Sequence, residues 1–251
     1  MIDTLGPASA AGLAPHLFDP VTQLHHIVWH RDPNLERLIR HVIETTRPDR
    51  FVETGTHMGW TSLWVARNYP SLPIYTVEVD PTFHRRSVEN LAPYPQAHVA
   101  LGHSPDFLRA LLPLLGKGLT MFWLDAHWYP PVPLRDECRV VSQLDRYVCL
   151  LDDFSCWGPD FNGDTFYRDG PTQGPACYND LSYVHDVLAR ECYRPCYEPR
   201  PGYNGAGLFL KGVDYVPPAD LMRLETLEQH LASRATPACL YPPFPPPPRG
   251  A

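Results

Sequence analysis

The feature that most constrains the fold is a regular alternation of short apolar segments with helical patterns between residues 50 and 151. The segments predicted as strands are Arg50–Glu53, Ile74–Val79, His98–Leu101, Met121–Leu124 and Tyr147–Leu151. Between them, apolar residues recur at helical spacing, in segments that end near Asn68, Leu91, Leu115 and Leu144. Strands that alternate with helices predict βαβ units with right-handed crossovers, and therefore a parallel sheet with helices on both faces.

The segments before and after this alternation complete the expected fold. Helical spacing predicts a helix over Asn34–Thr45 and another over Asn179–Cys192. Two terminal strands, Tyr193–Glu198 and Gly207–Leu210, are joined by residues with hairpin chemistry. We therefore expect a Rossmann-like α/β fold with a seven-stranded, mostly parallel sheet, helices on both faces and a C-terminal antiparallel hairpin.

The chain is expected to divide into three parts. Residues 1–31 lack a clear period and predict an irregular N-terminal arm, residues 32–215 form the main domain, and residues 216–251 form a C-terminal helix and a Pro-rich tail. Within the main domain, residues 154–177 form a long loop that is rich in aromatic residues. A loop of that length in a compact domain is usually either functional or disordered, and the aromatic residues favour a packed lid over a flexible linker.

Charge and composition exclude several classes of partner. The chain has 21 Lys and Arg against 28 Asp and Glu, a net charge of −7, which does not suit a nucleic-acid binder. It has no apolar run as long as the roughly 18 residues of a membrane span, and its first 18 residues lack the basic segment of a signal peptide. We expect a cytoplasmic protein with reduced thiols and a small-molecule ligand, and the sequence leaves a homo-oligomer open.

Candidate ligand-binding residues follow the predicted strands, because ligands of open parallel sheets bind at the carboxyl ends of the strands. The first strand is followed by Gly55 and Gly59, which allow a tight turn and close approach of a ligand to the backbone. This turn is not GxGxxG, so it lacks the dinucleotide fingerprint, and a generic strand–helix turn is the alternative. Glu78 ends the second strand 25 residues after Glu53, near the interval of about 20 residues that is typical of a ribose-binding acid.

Three acidic residues follow the fourth and fifth strands. Asp125 comes directly after the fourth strand, and Asp152 and Asp153 come directly after the fifth. Carboxylates that meet at one edge of a sheet need a cation, a shared proton or solvent, and hard oxygen ligands suit magnesium, calcium or manganese. The alternative is that these residues cap helices or are simply exposed acids.

These segments together resemble those of class I S-adenosylmethionine-dependent methyltransferases. Within that superfamily, the chain is similar to metal-dependent O-methyltransferases of the catechol O-methyltransferase kind and to macrolide sugar O-methyltransferases. The matching segments are FVETGTHMGWTS, IYTVEVD, LGHSPDFL, FWLDAHW and LLDDF, which lie within about residues 50–155. Their order and spacing carry the resemblance, since each motif alone is common.

The resemblance implies a role for each matching residue. The residues that it places against the cofactor S-adenosylmethionine are Glu53, Gly55, Thr56, His57, Gly59, Thr61, Glu78, His103, Ser104 and Asp125. Among these, Glu78 would bind the ribose, and His103 and Ser104 would flank the adenine, although Ser104 could instead cap the following helix. Asp125, Asp152 and Asp153 would hold Mg²⁺ or another divalent cation, and Asp125 would also take part in catalysis.

The chain departs from the catechol-type pattern at two positions. Asp153 stands where those enzymes have an Asn, which adds a negative charge to the site. The catalytic Lys that follows the metal-binding Asp is missing, and His127 stands nearby. The resemblance therefore makes His127 the expected general base, with a packing role for its ring as the alternative.

The expected activity is methyl transfer to a hydroxyl of a small molecule such as a phenol, a catechol or a sugar-like diol. An NAD-dependent oxidoreductase is an alternative, but the absent GxGxxG and the three acids weigh against it. A non-catalytic binding module that presents the Pro-rich tail to a partner is a second alternative.

Overall fold

Five parallel strands form the centre of the molecule. The computed structural model describes residues 28–126, 132–154, 165–167, 176–197 and 205–233. The strands are β1 (Arg50–Thr54), β2 (Ile74–Glu78), β3 (Ala97–Leu101), β4 (Thr120–Leu124) and β5 (Tyr147–Leu151), in the spatial order β3-β2-β1-β4-β5. Every residue of β1, β4 and β5 is buried, as is typical of parallel strands covered on both faces.

The strand order reverses direction between β1 and β4. The chain runs outward from β1 through β2 to β3, and then returns to the other side of β1 to form β4 and β5. Such a switch point opens a crevice at the carboxyl ends of the two central strands, and ligands of open α/β sheets bind there. The predicted candidate residues that follow β1, β2, β4 and β5 are therefore brought to one edge of the sheet.

Three antiparallel strands extend the sheet beyond β5. They are β8 (Glu191–Pro195), β9 (Gly207–Lys211) and β10 (Met222–Thr226), and β9 pairs with β5, β8 with β9, and β10 with β8. The α/β class, the mostly parallel sheet and the C-terminal antiparallel strands agree with the prediction. The sheet has eight strands in the described part of the chain, because β10 adds one that the sequence analysis did not predict.

Helices cover both faces of the sheet. They are α1 (Pro33–Thr46), α2 (Trp60–Asn68), α3 (Pro81–Leu91), α4 (Ser104–Leu115), α5 (Leu134–Val141), α6 (Leu181–Val184) and α7 (Leu227–Ala232). The predicted helix over Asn179–Cys192 is wrong in length, because α6 has only four residues. Its expected last residues, Glu191 and Cys192, instead pair with β10, and this pairing overrides local helix propensity. No helix in the described ranges is long and apolar enough to cross a membrane.

The segment just before α1 packs into the core. Asp32 caps the helix by accepting hydrogen bonds from the backbone N–H groups of Asn34 and Leu35, and Pro33 occupies the first turn. Immediately upstream, Trp29 is buried and makes edge-on ring contacts with Trp64 of α2 and Trp123 of β4. Val28 and Trp29 are thereby packed against α2 and the sheet, while His30 and Arg31 are exposed to solvent.

The predicted lid over residues 154–177 is described only in part. Its described strands, β6 (Thr165–Tyr167) and β7 (Ala176–Tyr178), form a separate two-stranded antiparallel pair. Most of this segment, including Trp157 and Phe161, lies outside the described residues. The packed lid therefore stays a prediction.

Candidate active site

The turn between β1 and α2 contains two glycines in the left-handed region. Gly55 has φ of 76° and Gly59 has φ of 80°, a conformation in which a Cβ is unfavourable. A Cβ on Gly55 would also lie 2.4 Å from the carbonyl oxygen of Asp125. The turn after β1 therefore lies directly against the backbone that follows β4, whereas the predicted approach of a ligand to this turn stays a prediction.

Glu53 lies beneath this turn and is buried. Its Oε2 accepts hydrogen bonds from Ser62 Oγ at 2.6 Å and from Thr76 Oγ1 at 2.7 Å. Burial raises the pKa of Glu53 to about 7, although these hydrogen bonds and one from Thr61 favour the charged form. Glu53 thus joins α2 to β2 under the turn, and its carboxyl group is poised to change charge near neutral pH.

Glu78 connects the turns after β1 and β2. Its Oε2 accepts the backbone N–H of His57 at 2.6 Å, and its Oε1 accepts that of Asp80 at 2.8 Å. Each carboxylate oxygen has two lone pairs, so both oxygens can accept a further hydrogen bond from a ligand. Glu78 is 6% exposed, so a ligand that donates to it must reach a nearly buried carboxylate.

Thr56 and His57 form the wall of the turn near Glu78. Thr56 is buried, and its hydroxyl bonds to that of Thr76. The ring of His57 lies 4.2 Å from the ring of Phe83, centroid to centroid. Burial lowers the pKa of His57, although the charges of Glu78 and Asp80 act against this.

His103 and Ser104 lie at the start of α4. His103 is the exposed N-cap residue, and its side chain makes no capping hydrogen bond. Ser104 is buried as the first helical residue, so it does not occupy the cap position that was its alternative role. Both residues follow β3, next to the strand that ends in Glu78.

Asp125 lies where β4 leaves the sheet. Its backbone N–H donates to the carbonyl oxygen of Thr54, which keeps β4 paired with β1 up to the crevice. Its half-exposed carboxylate accepts a long hydrogen bond, 3.4 Å, from Trp123 Nε1. Asp125 therefore lies between the glycine turn and the other acidic residues.

Asp152 and Asp153 form a tight turn at the end of β5. Asp152 is 1% exposed, and Asp153 is half-buried with φ of 45°. Asn179 Nδ2 donates to the carbonyl oxygens of both residues, at 2.8 Å and 3.3 Å. This amide fixes the turn from the segment before α6, a contact that the sequence analysis did not foresee.

His30 joins this acidic group from the N-terminal side and was missed by the sequence analysis. Its Nε2 lies 2.9 Å from Asp152 Oδ2 and 3.1 Å from Asp152 Oδ1. One ligand atom each from His30, Asp152 and Asp153 lie within 4.8 Å of one another. Burial lowers the pKa of His30, but Asp152, and at longer range Asp153 and Asp125, raise it to about 9.

The described residues suit a divalent cation at this edge. Asp152 and Asp153 provide carboxylate oxygens from one turn, which are the ligands that hard cations prefer. Asp125 lies outside the group of atoms within 4.8 Å, and its charge acts on His30 from a greater distance. His127, the predicted general base, lies outside the described residues.

Comparison with solved structures supports the fold. No protein-family model matches the sequence, and no curated protein matches it either. The chain is similar to the O-methyltransferase TomG from Streptomyces achromogenes, solved in complex with SAM, with 19% identity and a TM-score of 0.51 over 76% of this chain and 87% of TomG. The chain has a methyltransferase-like Rossmann fold.

Two further structures align less closely. The SAH-bound methyltransferase PaMTH1 from Podospora anserina shares 17% identity at a TM-score of 0.40, over 54% of this chain and 62% of that protein. The N-terminal domain of EvdMO1, solved in the presence of SAH and D-fucose, shares 14% identity at a TM-score of 0.43, over 73% of this chain and 83% of that domain. At these identities a likeness concerns the fold and leaves the chemistry to the residues of this chain.

Proposed function

We propose that this protein is an S-adenosylmethionine-dependent O-methyltransferase that acts on a hydroxyl of a small molecule with the help of a divalent cation. The observation that carries the proposal is the arrangement at the switch point. The glycine turn and Glu78 lie on the β1–β2 side of the crevice, and the acidic residues lie on the β4–β5 side. A methyl donor and a hydroxyl acceptor could therefore meet between them.

The β1–β2 side suits a nucleoside with a positively charged tail. Glu78 can accept hydrogen bonds from vicinal ribose hydroxyls on lone pairs that its two backbone donors leave available. The left-handed glycines let the turn pack against Asp125 and α3, which holds its backbone at the edge of the crevice where the cofactor would bind. Glu53, whose pKa is about 7 in the absence of ligand, would be held in its charged form by the sulfonium and ammonium groups of the methionine part.

The β4–β5 side suits the acceptor. Asp152 and Asp153 would hold a divalent cation, with Asp125 in an outer position because it lies outside their 4.8 Å group. The cation would lower the pKa of the acceptor hydroxyl. Because the backbone of Asp125 lies against Gly55, the turn after β1 and the end of β4 have a fixed position relative to each other. Such alignment of the acceptor with the methyl donor is a large part of what a methyltransferase must provide.

The reaction forms a bond from the acceptor oxygen to the methyl carbon and breaks the bond from that carbon to sulfur. The electron pair of the broken bond stays on sulfur, which becomes the neutral thioether of S-adenosylhomocysteine. The proton of the hydroxyl passes to a base, and His127 remains the proposed base. A cation that chelates two neighbouring oxygens favours a catechol or a vicinal diol as acceptor.

Methyl transfer from labelled S-adenosylmethionine tests the proposal. The full-length protein would be incubated with catechols, other phenols and sugars, in Mg²⁺, in Mn²⁺ and after exhaustive chelation. We expect labelled product from at least one acceptor with vicinal hydroxyls, and its loss on chelation. Full activity after chelation would contradict the role of the cation. Calorimetry that detects binding of NAD but not of S-adenosylmethionine would contradict the proposal as a whole.

A further inference from the structure

The contact between His30 and Asp152 joins two parts of the chain that are 122 residues apart. His30 contributes an imidazole nitrogen, and Asp152 and Asp153 contribute carboxylate oxygens, so the three side chains together offer both nitrogen and oxygen ligands. We propose that His30 is a ligand of the metal centre, and that the centre is built from His30, Asp152 and Asp153. This inference rests on the divalent cation of the proposed function.

The distances suit ligation of a single ion. Two ligand atoms that bind one ion at right angles, each about 2.1 Å away, lie about 3.0 Å apart. The His30 Nε2 atom lies 2.9 Å and 3.1 Å from the two oxygens of Asp152. All three donors fall within 4.8 Å of one another. One ion could therefore bind all three after small side-chain rotations, in place of the proton between His30 Nε2 and Asp152.

The backbone directs the imidazole to this position. Trp29, His30 and Arg31 have φ of 52°, 51° and 60°, which makes one turn of left-handed backbone. This conformation costs roughly 1–2 kcal/mol per non-glycine residue. The burial of Trp29 on one side of His30 and the capped start of α1 on the other hold the turn in place.

The exposure of the donors suits an ion that binds from the crevice. Asp152 is 1% exposed, whereas the side chain of His30 is 37% exposed and Asp153 is half-buried. A buried carboxylate would form the base of the centre, and the imidazole would approach it from the open side.

The donor set predicts which ions bind best. Imidazole binds later first-row ions such as iron, cobalt, nickel and zinc more strongly than manganese, and magnesium prefers oxygen donors and water. A centre with His30 should therefore favour a first-row transition ion over Mg²⁺ more strongly than an all-carboxylate centre would. Replacing His30 should reduce this preference, because only the transition ions lose a favoured ligand.

Metal titrations of the full-length protein test the assignment. Co²⁺ would be followed by its visible absorption, Mg²⁺ by calorimetry, and Mn²⁺ by pulsed electron paramagnetic resonance, which detects a coordinated imidazole nitrogen. The variants are His30→Ala, His30→Gln and the control His98→Ala, whose ring is exposed on β3. Circular dichroism and melting temperatures would establish that each variant folds.

We expect His30→Ala to weaken Co²⁺ binding by at least about 10- to 100-fold, the range seen when even an outer-shell partner of a metal ligand is lost. Mg²⁺ binding should weaken less, and the nitrogen signal of bound Mn²⁺ should disappear. His30→Gln should also lose the nitrogen signal although it can still hydrogen-bond to Asp152. His98→Ala should behave as the parent protein does.

Two other outcomes would overturn the assignment, and they are distinguishable. If Asp152→Ala abolishes Co²⁺ binding while His30→Ala leaves affinity and spectra unchanged, the cation of the proposed function stands and His30 is only a hydrogen-bonding partner of Asp152. If the parent protein binds none of the three ions, the metal part of the proposed function fails together with this inference.

Discussion

At the scale of single residues, two buried carboxyl groups, Glu53 and Glu78, belong both to the core and to the candidate site. Glu53 and Glu78 are both nearly inaccessible, yet their hydrogen bonds differ in kind. Glu53 accepts from side-chain hydroxyls, and Glu78 accepts from backbone N–H groups. The carboxyl group of Glu53 changes its charge near neutral pH. The carboxylate of Glu78 instead fixes the conformation of the turns after β1 and β2.

Glu53→Gln should change the dependence of stability on pH. The pKa of Glu53 is about 7 in the folded protein, whereas the ordinary value of a glutamate, 4.5, applies to the unfolded chain. Between these values the unfolded chain has lost a proton that the folded chain keeps, so the parent protein loses stability as pH rises from 4.5 through 7. The loss is of order 3 kcal/mol.

Urea unfolding at pH 5 and at pH 8 would measure this effect. The free energy of unfolding of Glu53→Gln minus that of the parent protein should be larger at pH 8 than at pH 5. The reason is that the amide of glutamine does not ionise, so the variant escapes the parent's loss of stability. Glu89→Gln, on the exposed side of α3, is the control and should show no such change. An equal stability difference between Glu53→Gln and the parent at both pH values would contradict the prediction.

Glu78→Ala should weaken binding of S-adenosylhomocysteine. Hydrogen bonds to a charged group contribute roughly 1.5–3 kcal/mol, which corresponds to about a 10- to 150-fold loss of affinity. The variant also leaves the backbone N–H groups of His57 and Asp80 without their acceptor. Calorimetric titration measures the affinity, with Glu89→Ala as the control, and parental affinity in Glu78→Ala would remove the role assigned to this residue.

At the scale of elements, the five central strands and the terminal strands β8 and β9 were predictable, whereas β10 and the short α6 were not. Strands β1, β4 and β5 are buried at every residue, and all five central strands are marked in the sequence by short apolar segments between helical patterns. Strand β10 has an irregular burial pattern, with Leu224 exposed and Met222 buried, so its sequence carries no clear period. Its pairing with β8 is a tertiary effect, as is the short length of α6.

Gly55→Ala tests whether the turn between β1 and α2 requires glycine. The new Cβ would meet the Asp125 carbonyl oxygen at 2.4 Å, and the positive φ adds strain. We expect a loss of roughly 1–3 kcal/mol in unfolding free energy and weaker binding of S-adenosylhomocysteine, because the turn must move away from β4.

Gly116→Ala is a matched control for this substitution. Gly116 follows α4 with a right-handed backbone, and its Cβ would meet the Leu112 carbonyl oxygen at an ordinary 3.5 Å. Thermal unfolding and calorimetry of both variants should show a large change for Gly55→Ala and little or none for Gly116→Ala. Equal effects would mean that the close approach to Asp125 does not limit the turn.

At the scale of the whole molecule, the candidate site combines parts that the sequence predicts with one part that it does not. Glu53, Gly55 and Glu78 could be predicted because each follows or ends a recognisable strand, and parallel topology brings strand ends together. His30 could not, because its contact with Asp152 spans 122 residues and depends on a left-handed turn with no local signature. The only nearby signal is Asp32-Pro33, which marks the start of α1.

Trp29 connects this unpredicted part to the core, and Trp29→Ala should affect both stability and metal binding. The indole packs against Trp64 and Trp123, so its removal leaves a cavity between α2 and the sheet. Loss of a buried aromatic side chain costs about 3–5 kcal/mol, and the released turn should also move His30 away from Asp152. His30→Ala, by contrast, should weaken Co²⁺ binding without a comparable loss of stability.

Trp29→Phe separates packing from the polar group of the indole. Trp29 Nε1 is buried and has no hydrogen-bond acceptor among the described residues, so phenylalanine keeps much of the packing and removes an unsatisfied N–H. We expect Trp29→Phe to lose clearly less stability than Trp29→Ala and to keep most of the Co²⁺ affinity. The measurements are urea unfolding and Co²⁺ titration on the same preparations. If Trp29→Ala loses stability but binds Co²⁺ as the parent does, the position of His30 does not depend on this anchor, and the left-handed turn must be held by Asp152 and α1 alone.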